Sequence, residues 1–200
     1  MAALSPSFTS FAGDRLLASG SLAEVAIAIK IATGNLPEPI LIFDNATGQS
    51  LDLDLRGSHR EIIARLPLPT PVELKAETSV EPRGRGRPRL GVVAREVTLL
   101  PRHWDWLGAQ PGGASVTLRK LVEEARRANG DRDRQRAARD AAYHFMSAMA
   151  GNLPNFEEAS RALFADDRHG LARLIADWPT DIRDHIVLLA FRDVAKPASG

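Results

Sequence analysis

The stretch that decides the fold class is residues 40–57, which read I-L-I-F-D-N-A-T-G-Q-S-L-D-L-D-L-R-G. Residues 40–43 form a continuous apolar run, which is typical of a buried central strand. Residues 44–48 are a cluster of turn-forming residues. After the turn, leucines alternate with Asp52 and Asp54, which is the two-residue period of a strand with one buried face. The stretch therefore predicts a β-hairpin, and with it a fold of the α+β class.

Helix signals flank this hairpin on both sides. Ser21 and Glu24 have the spacing of a capping box and predict a helix that ends near Thr33, while Ser58 and Glu61 predict a second, short helix to Leu66. Two short strands are expected around Gly13, at residues 8–11 and 15–18. Residues 1–66 are therefore predicted to form a small α+β domain.

The remaining chain divides by composition into three further parts. Residues 67–91 hold five prolines without helical or strand periodicity, which predicts a Pro-rich linker that ends in a basic arm. Residues 92–130 predict a strand followed by two helices. Residues 131–195 predict a helical region, with helices at 131–150, after a cap at Asn155, at 169–178 and at 180–191.

Composition argues against most enzyme classes. The chain has no cysteine, and its five histidines lack the i,i+4 spacing of a helical metal site. It also lacks a phosphate loop and a G-x-G-x-x-G motif. Asp52 and Asp54 share one strand face, so an ion site or acid pair is conceivable there, although the solvent side of a hairpin explains them better. We expect no catalytic residue, no metal and no cofactor.

The sequence also predicts a cytoplasmic protein without a membrane partner. No apolar run approaches the ~18 residues of a transmembrane helix. The N-terminus lacks a basic segment followed by an apolar core, which a secretory signal would have.

Positive charge is concentrated in the middle of the chain. The net charge is −4 over residues 1–82, +7 over residues 83–140 and −2 over residues 141–200. Arginine outnumbers lysine by 22 to 4, which suits recognition of phosphates and base edges, although a GC-rich genome would also favour arginine. A basic centre between acidic ends is typical of a nucleic-acid-binding segment.

The basic arm is residues 83–89, which read R-G-R-G-R-P-R. Its R-G-R-P core resembles an AT-hook. Glycine lets such a backbone lie flat in a groove, and proline keeps it extended. Narrow A·T-rich minor grooves attract arginine because they are strongly negative. The candidate minor-groove residues are Arg83, Arg85, Gly86, Arg87, Pro88 and Arg89. The alternative is that the arm is only a solvated linker.

A strand, a helix and a second helix follow the arm in an order that resembles a ribbon-helix-helix domain. Residues 95–101 (R-E-V-T-L-L-P) are similar to that family's strand and the proline that ends it. Residues 113–125 (G-A-S-V-T-L-R-K-L-V-E-E-A) are similar to its second helix, with Ser115 as the cap. The resemblance covers residues 92–127 and implies a dimer whose paired strands enter the DNA major groove.

A lone strand leaves both edges unpaired, so this segment is expected to pair with its copy in a second chain. Alternation directs Glu96 and Thr98 toward base edges, with Arg95 at the start of the strand. The expected dimer core is Val97, Leu99, Trp104, Leu107, Leu118, Leu121 and Val122. The backbone amides of Ser115 and Val116 suit a phosphate.

Three points leave alternatives open. Leu100 beside Leu99 disturbs the alternation, so the register can slip by one residue. Trp106 lies off the face of Trp104 and suits packing on a neighbouring domain better than stacking on a base. The strand and helices can also be plain core of a larger fold.

Residues 40–57, 84–113 and 142–163 resemble an uncharacterised bacterial family known by a domain-of-unknown-function label. That resemblance implies a bacterial source and no activity. The residues themselves predict a homodimeric, nucleoid-associated protein that binds double-stranded DNA, as a transcriptional regulator or nucleoid-type factor. The N- or C-terminal regions are expected to contact a protein partner. The alternative function is a protein-interaction adaptor that dimerises through the same elements without binding DNA.

Overall fold

The computed structural model describes residues 7–32, 38–66, 93 and 95–191. These residues contain four strands and seven helices, which confirms the α+β class. They fall into two compact units. The first unit contains the described residues up to Leu66 and from Asp131 onward, and the second contains those from Val93 to Gly130.

A four-stranded antiparallel sheet is the centre of the first unit. Its inner strands are β1 (Phe8–Ala12) and β3 (Ile40–Asp44), and its edges are β2 (Arg15–Gly20) and the two-residue β4 (Ser50–Leu51). The predicted hairpin is confirmed, because β3 pairs with β4 with Ile42 opposite Leu51. Its second strand is shorter than predicted, since residues 52–56 have no strand pairing among the described residues.

Helices cover both faces of this sheet, because successive side chains of a strand point to opposite sides. On one face, Val25 and Ile29 of α1 (Leu22–Ala32) pack with Ile42. On the other face, the rings of Phe11 and Phe43 lie 5.2 and 4.8 Å from the ring of Phe145. Each large apolar side chain buried in this way contributes about 1.5–3 kcal/mol to stability.

Four helices form the larger core beneath Phe11 and Phe43. They are α4 (Gly113–Ala150), which belongs to the first unit from Asp131 onward, α5 (Phe156–Phe164), α6 (Arg168–Leu174) and α7 (Thr180–Ala190). Their apolar stripes meet in one cluster, as the helical periodicity predicts. Its large fully buried members include Phe145, Met146, Leu163, Leu171, Ile175, Ile182, Ile186 and Leu189.

The capping boxes are confirmed at both predicted sites. The Ser21 amide donates to Glu24 Oε2 at 2.7 Å at the start of α1, and the Ser58 amide donates to Glu61 Oε2 at 2.7 Å at the start of α2 (His59–Arg65). These hydrogen bonds favour the ionised carboxylate, so they lower the pKa of both glutamates. Asn155 is the N-cap residue of α5, as predicted, but it has a left-handed backbone (φ 64°) and its side chain makes no capping bond.

One long helix replaces two predicted ones. The sequence predicts a helix that ends near Ala128 and another that starts at Asp131, but α4 passes through both positions. Asn129, a residue that often ends helices, instead donates from Nδ2 to the Ala125 carbonyl at 2.9 Å. Ion pairs one turn apart also support the exposed middle of the helix, each by a few tenths of a kcal/mol. They are Arg126–Glu123, Arg134–Asp131 and Arg136–Asp133.

None of the helices in the described part of the chain is both long enough and apolar enough to cross a membrane.

Candidate nucleic-acid interface

The structure describes some of the residues proposed to contact DNA and not others. Arg83, Arg85, Gly86, Arg87, Pro88 and Arg89, which form the predicted minor-groove arm, lie outside the described residues. The ribbon, the dimer core and the phosphate site fall mostly within them.

The predicted ribbon strand is not formed by the single chain. Residues 95–100 are not assigned to a strand and pair with no strand of the described chain, so the strand predicted at residues 92–100 is not formed over residues 95–100 of a single chain. The physical reason is that a strand requires a partner, and the sheet of the first unit is built without this segment. Arg95, Glu96 and Thr98 are exposed. Pairing with a second copy stays a prediction.

The helix that follows begins where the sequence predicts. In α3 (Pro101–Gly108), Pro101 occupies the first helical position, where its missing amide costs no hydrogen bond. Leu100 precedes it with an extended backbone, and its carbonyl accepts from the His103 amide at 2.8 Å. Proline therefore starts a helix directly after the extended Leu100.

The helix predicted to start at Val116, after a cap at Ser115, begins three residues earlier. Gly112 and Gly113 have φ values of 89° and 71°, which glycine adopts without strain, and α4 begins at Gly113. The prediction that Ser115 caps this helix is therefore wrong, because Ser115 lies within its first turn. The amides of Ser115 and Val116 still belong to that turn, where helix amides lack intrahelical acceptors. Phosphate binding by them remains a prediction.

Apolar side chains of this second unit are mostly exposed to solvent. Among the described residues of this unit, only Leu107 has a buried apolar side chain. It is therefore buried without a second copy of the chain. Seven large apolar side chains are between 42% and 64% exposed, and we call them the apolar surface. They are Val93, Val97, Leu100, Trp104, Trp106, Leu121 and Val122. The other two predicted dimer-core residues, Leu99 and Leu118, are half-buried.

Four members of the apolar surface are residues that the sequence predicts as dimer core, and the other three are not. Strict alternation excludes Leu100 from the predicted set, and Trp106 lies off the helical face of Trp104. Alternation does place Val93 on the face of Val97, but the predicted set omits it. Leu100 does give a signal, since it breaks the alternation directly before Pro101. So many exposed large apolar side chains in a small unit are unusual for a protein without a partner.

Cations occupy the polar side of the first half of α4. Arg119, Lys120, Arg126 and Arg127 are all exposed. Glu123 lies between them and accepts from Arg126 Nη2 at 3.0 Å and from Arg127 Nε at 3.1 Å. The Arg126 hydrogen bond is the main reason why the pKa of Glu123 is lowered.

Asp54 and His144, which belong to the residues considered for an ion site or a metal site, make hydrogen-bond contacts within the fold. Asp54 accepts from Arg65 Nη1 and from the Arg56 amide, both at 3.0 Å, and Asp52 is exposed. His144 Nδ1 lies 2.9 Å from the Thr47 carbonyl oxygen and fastens the hairpin turn to α4. Among the residues that the structure describes, no three His, Cys, Asp or Glu side chains are grouped so that they can hold a metal ion.

Comparison with known proteins assigns the chain to a family. Neither the curated proteins nor the solved structures give a match to this sequence. One family model matches residues 7–190, which includes the sheet, the apolar surface and the C-terminal helices. The predicted bacterial family resemblance is therefore confirmed, and the chain belongs to the family described as an uncharacterized protein conserved in bacteria (DUF2239).

Proposed function

We propose that the chain is a homodimeric bacterial DNA-binding protein, acting as a transcriptional regulator or a nucleoid-type factor. The observation that carries this proposal is the apolar surface, which lies in the most basic part of the chain. Large apolar side chains exposed in this number favour a partner, and the positive charge of the same part of the chain favours a polyanion as the ligand of the assembled protein.

A second copy of the chain is the partner that fits the surface. Seven half-exposed large side chains offer on the order of 500 Å² per protomer, since a large aromatic side chain carries about 150–250 Å². Antiparallel pairing of residues 95–99 with their copy adds buried backbone area and inter-strand hydrogen bonds. The sum approaches the ~800 Å² per partner of a standard interface.

DNA is then contacted by three sets of residues. Arg95, Glu96 and Thr98, which are exposed in the protomer, face base edges of the major groove from the paired strands. Arg85 and Arg87, with the rest of residues 83–89, enter the adjacent minor groove. The first-turn amides of α4 bind a phosphate. The net charge of +7 over residues 83–140 supplies the attraction.

The competing function is a protein-interaction adaptor. The same apolar surface favours it, because burial of Trp104 and Val122 in a dimer needs no DNA. The flanking sheet and helices would then bind a protein partner, and the basic arm would be a linker. The two functions share the dimer and differ only in duplex binding.

Dimerisation is tested by light scattering on the full chain at micromolar concentration. We expect a dimer for the wild type and a monomer for Leu121→Glu/Val122→Glu, which places charges on the apolar surface. Leu188→Glu is the matched control, because Leu188 is equally apolar and half-exposed but lies on α7 of the first unit. A monomeric wild type would refute the dimer.

DNA binding is tested by fluorescence anisotropy with A·T-rich and G·C-rich duplexes over a range of salt. We expect log K to fall against log salt with a slope of about −0.9 per phosphate contacted. Arg85→Ala/Arg87→Ala should lose affinity selectively for the A·T-rich duplex. A dimer that binds neither duplex at low salt would favour the adaptor.

A further inference from the structure

The first half of α4 has a basic face that none of the contacts proposed above uses. We infer that Arg119, Lys120, Arg126 and Arg127 form a phosphate-binding row that follows the backbone of duplex DNA. This inference rests on the proposed function and adds a ligand surface to it. We call these four residues the basic row.

The spacing of the four cations places them on one side of the helix. Arg119 and Arg126 are seven residues apart, and so are Lys120 and Arg127. Seven residues are nearly two helical turns and advance by about 10.5 Å along the axis. The row therefore presents two pairs of cations in line, both within a continuous part of α4 that belongs to the second unit.

The basic row lies roughly opposite the apolar residues of the same helix segment. Leu118, Leu121, Val122 and Ala125 follow the three- and four-residue spacing of a single stripe. At about 100° per residue, Lys120 and Arg127 point about 150–170° away from the centre of that stripe, and Arg119 and Arg126 about 90–110° away. Covering the stripe with a second copy therefore leaves Lys120 and Arg127 accessible.

Glu123 controls how much charge the row presents. It binds Arg126 and Arg127 together, whereas Lys120 has no ion pair within the described chain. The Arg126 and Arg127 side chains are 74% and 76% exposed, so each guanidinium keeps donors free for a phosphate. Glu123 thus orients the two arginines and also offsets part of their charge.

Duplex DNA fits this geometry better than an anionic membrane surface. An interfacial helix buries its apolar stripe in the lipid, and its cations flank that stripe at the headgroups. Here Lys120 and Arg127 lie on the opposite side from the stripe, so lipid insertion would direct these two cations away from the bilayer. Phosphates of a duplex can be contacted by the basic row while the apolar side is covered by protein.

The test uses the full-length variant Lys120→Gln/Arg127→Gln with a matched control. Glutamine removes charge and preserves helix propensity. The control, Arg161→Gln/Arg173→Gln, removes the same charge from exposed positions on α5 and α6 of the first unit. Duplex binding is measured against salt, while light scattering checks the dimer and circular dichroism the helix content.

We expect the salt slope of the variant to be shallower by about 0.9 for each phosphate that it no longer neutralises, or by about two to four for a dimer, and that of the control to be unchanged. Glu123→Gln should make the slope steeper. If the wild type binds duplex and the variant keeps its full slope, the basic row is refuted while the proposed function stands. If the wild type binds only anionic phosphatidylserine vesicles, or no duplex at all, both are refuted.

Discussion

At the scale of single residues, the hairpin turn and α4 approach each other so closely that only glycine fits between them. Gly48 has a φ of 68°, and a Cβ atom placed there would lie 1.8 Å from the Ala141 carbonyl oxygen. The partner is backbone, so it cannot move aside as a flexible side chain can. The carbonyl oxygen of the neighbouring Thr47 lies 2.9 Å from Nδ1 of His144, on α4.

Gly48→Ala should therefore destabilise the first unit strongly. The clash and the left-handed backbone both oppose the new side chain, and we expect a loss of at least about 2 kcal/mol. Urea unfolding, followed by circular dichroism, measures the loss. Gly108→Ala is the control, because a Cβ at Gly108 meets nothing within 4 Å. Equal midpoints for Gly48→Ala and wild type would contradict this account of the turn.

Asp166 is a second position where backbone strain and a side-chain contact oppose each other. Its φ is 59° in the turn after α5, and its Oδ2 lies 3.1 Å from Nη2 of Arg139, a largely buried side chain. Asp166→Gly removes the ion pair but relieves the strain, so its stability should stay within about 1 kcal/mol of wild type. Asp166→Ala removes the pair and keeps the strain, which costs about 1–2 kcal/mol. Thermal unfolding that ranks the two variants equally would exclude this balance.

At the scale of elements, α1 depends on the capping box that starts it. The Ser21 amide and hydroxyl donate to Glu24, and the pKa of Glu24 is lowered by these bonds, chiefly by the one from the backbone amide. A carboxylate whose folded pKa lies below its unfolded pKa stabilises the fold above the unfolded value. That stabilisation disappears as pH falls through the lowered folded value.

Glu24→Gln should therefore be less stable than wild type at neutral pH, and the difference should shrink as pH falls through the acid range. Urea unfolding at a series of pH values measures the difference. In a Ser21→Ala background the hydroxyl bond is missing and the larger backbone-amide bond remains, so the same substitution should show a smaller pH-dependent difference there, not a vanished one. A difference that is constant with pH would exclude a role for the ionised carboxylate.

Elements differ in how well the sequence predicts them. The capping serines, Pro101 and the alternation in the hairpin act on neighbours within a few residues, so the predicted positions of α1, α2, α3 and the hairpin are close to the true ones. The sequence divides α4 in two because Asn129 and Gly130 favour a helix end locally. Its continuity depends on side-chain pairs that offset this preference, and such pairs are weak signals in a sequence.

At the scale of the whole molecule, the two units differ in how they bury apolar surface. The first unit has a layered core around Phe11, Phe43 and Phe145. The second buries Leu107 and exposes seven large apolar side chains, among the residues described. Stability of the second unit should therefore depend on association.

Thermal unfolding should consequently depend on protein concentration. Binding between folded protomers stabilises them by mass action, so we expect the melting temperature, followed by tryptophan fluorescence, to rise by several degrees from 1 to about 100 µM. Two of the three tryptophans, Trp104 and Trp106, report on the second unit. Leu121→Glu/Val122→Glu should abolish the rise. A wild-type melting temperature that does not change with concentration would contradict association.

The candidate interface is predicted in part by the sequence. Periodicity identifies Val97, Trp104, Leu121 and Val122 as residues that need burial, and they are exposed in the protomer. Periodicity does not show that Leu107 is buried within one chain, because burial depends on tertiary contacts that residue spacing does not specify. The strand at 92–100 is predicted from its own residues, yet a strand forms only where a second strand is available.

The sequence by itself determined the local features of this protein: two capping boxes, the hairpin, the proline that starts α3 and the basic centre of the chain. Each depends on residues close together or on composition alone. Only the tertiary structure decided that the sheet and the C-terminal helices share one core and that the apolar surface is left uncovered. These depend on contacts between residues far apart in the chain, such as Phe11 with Phe145, whose gain exceeds local preferences.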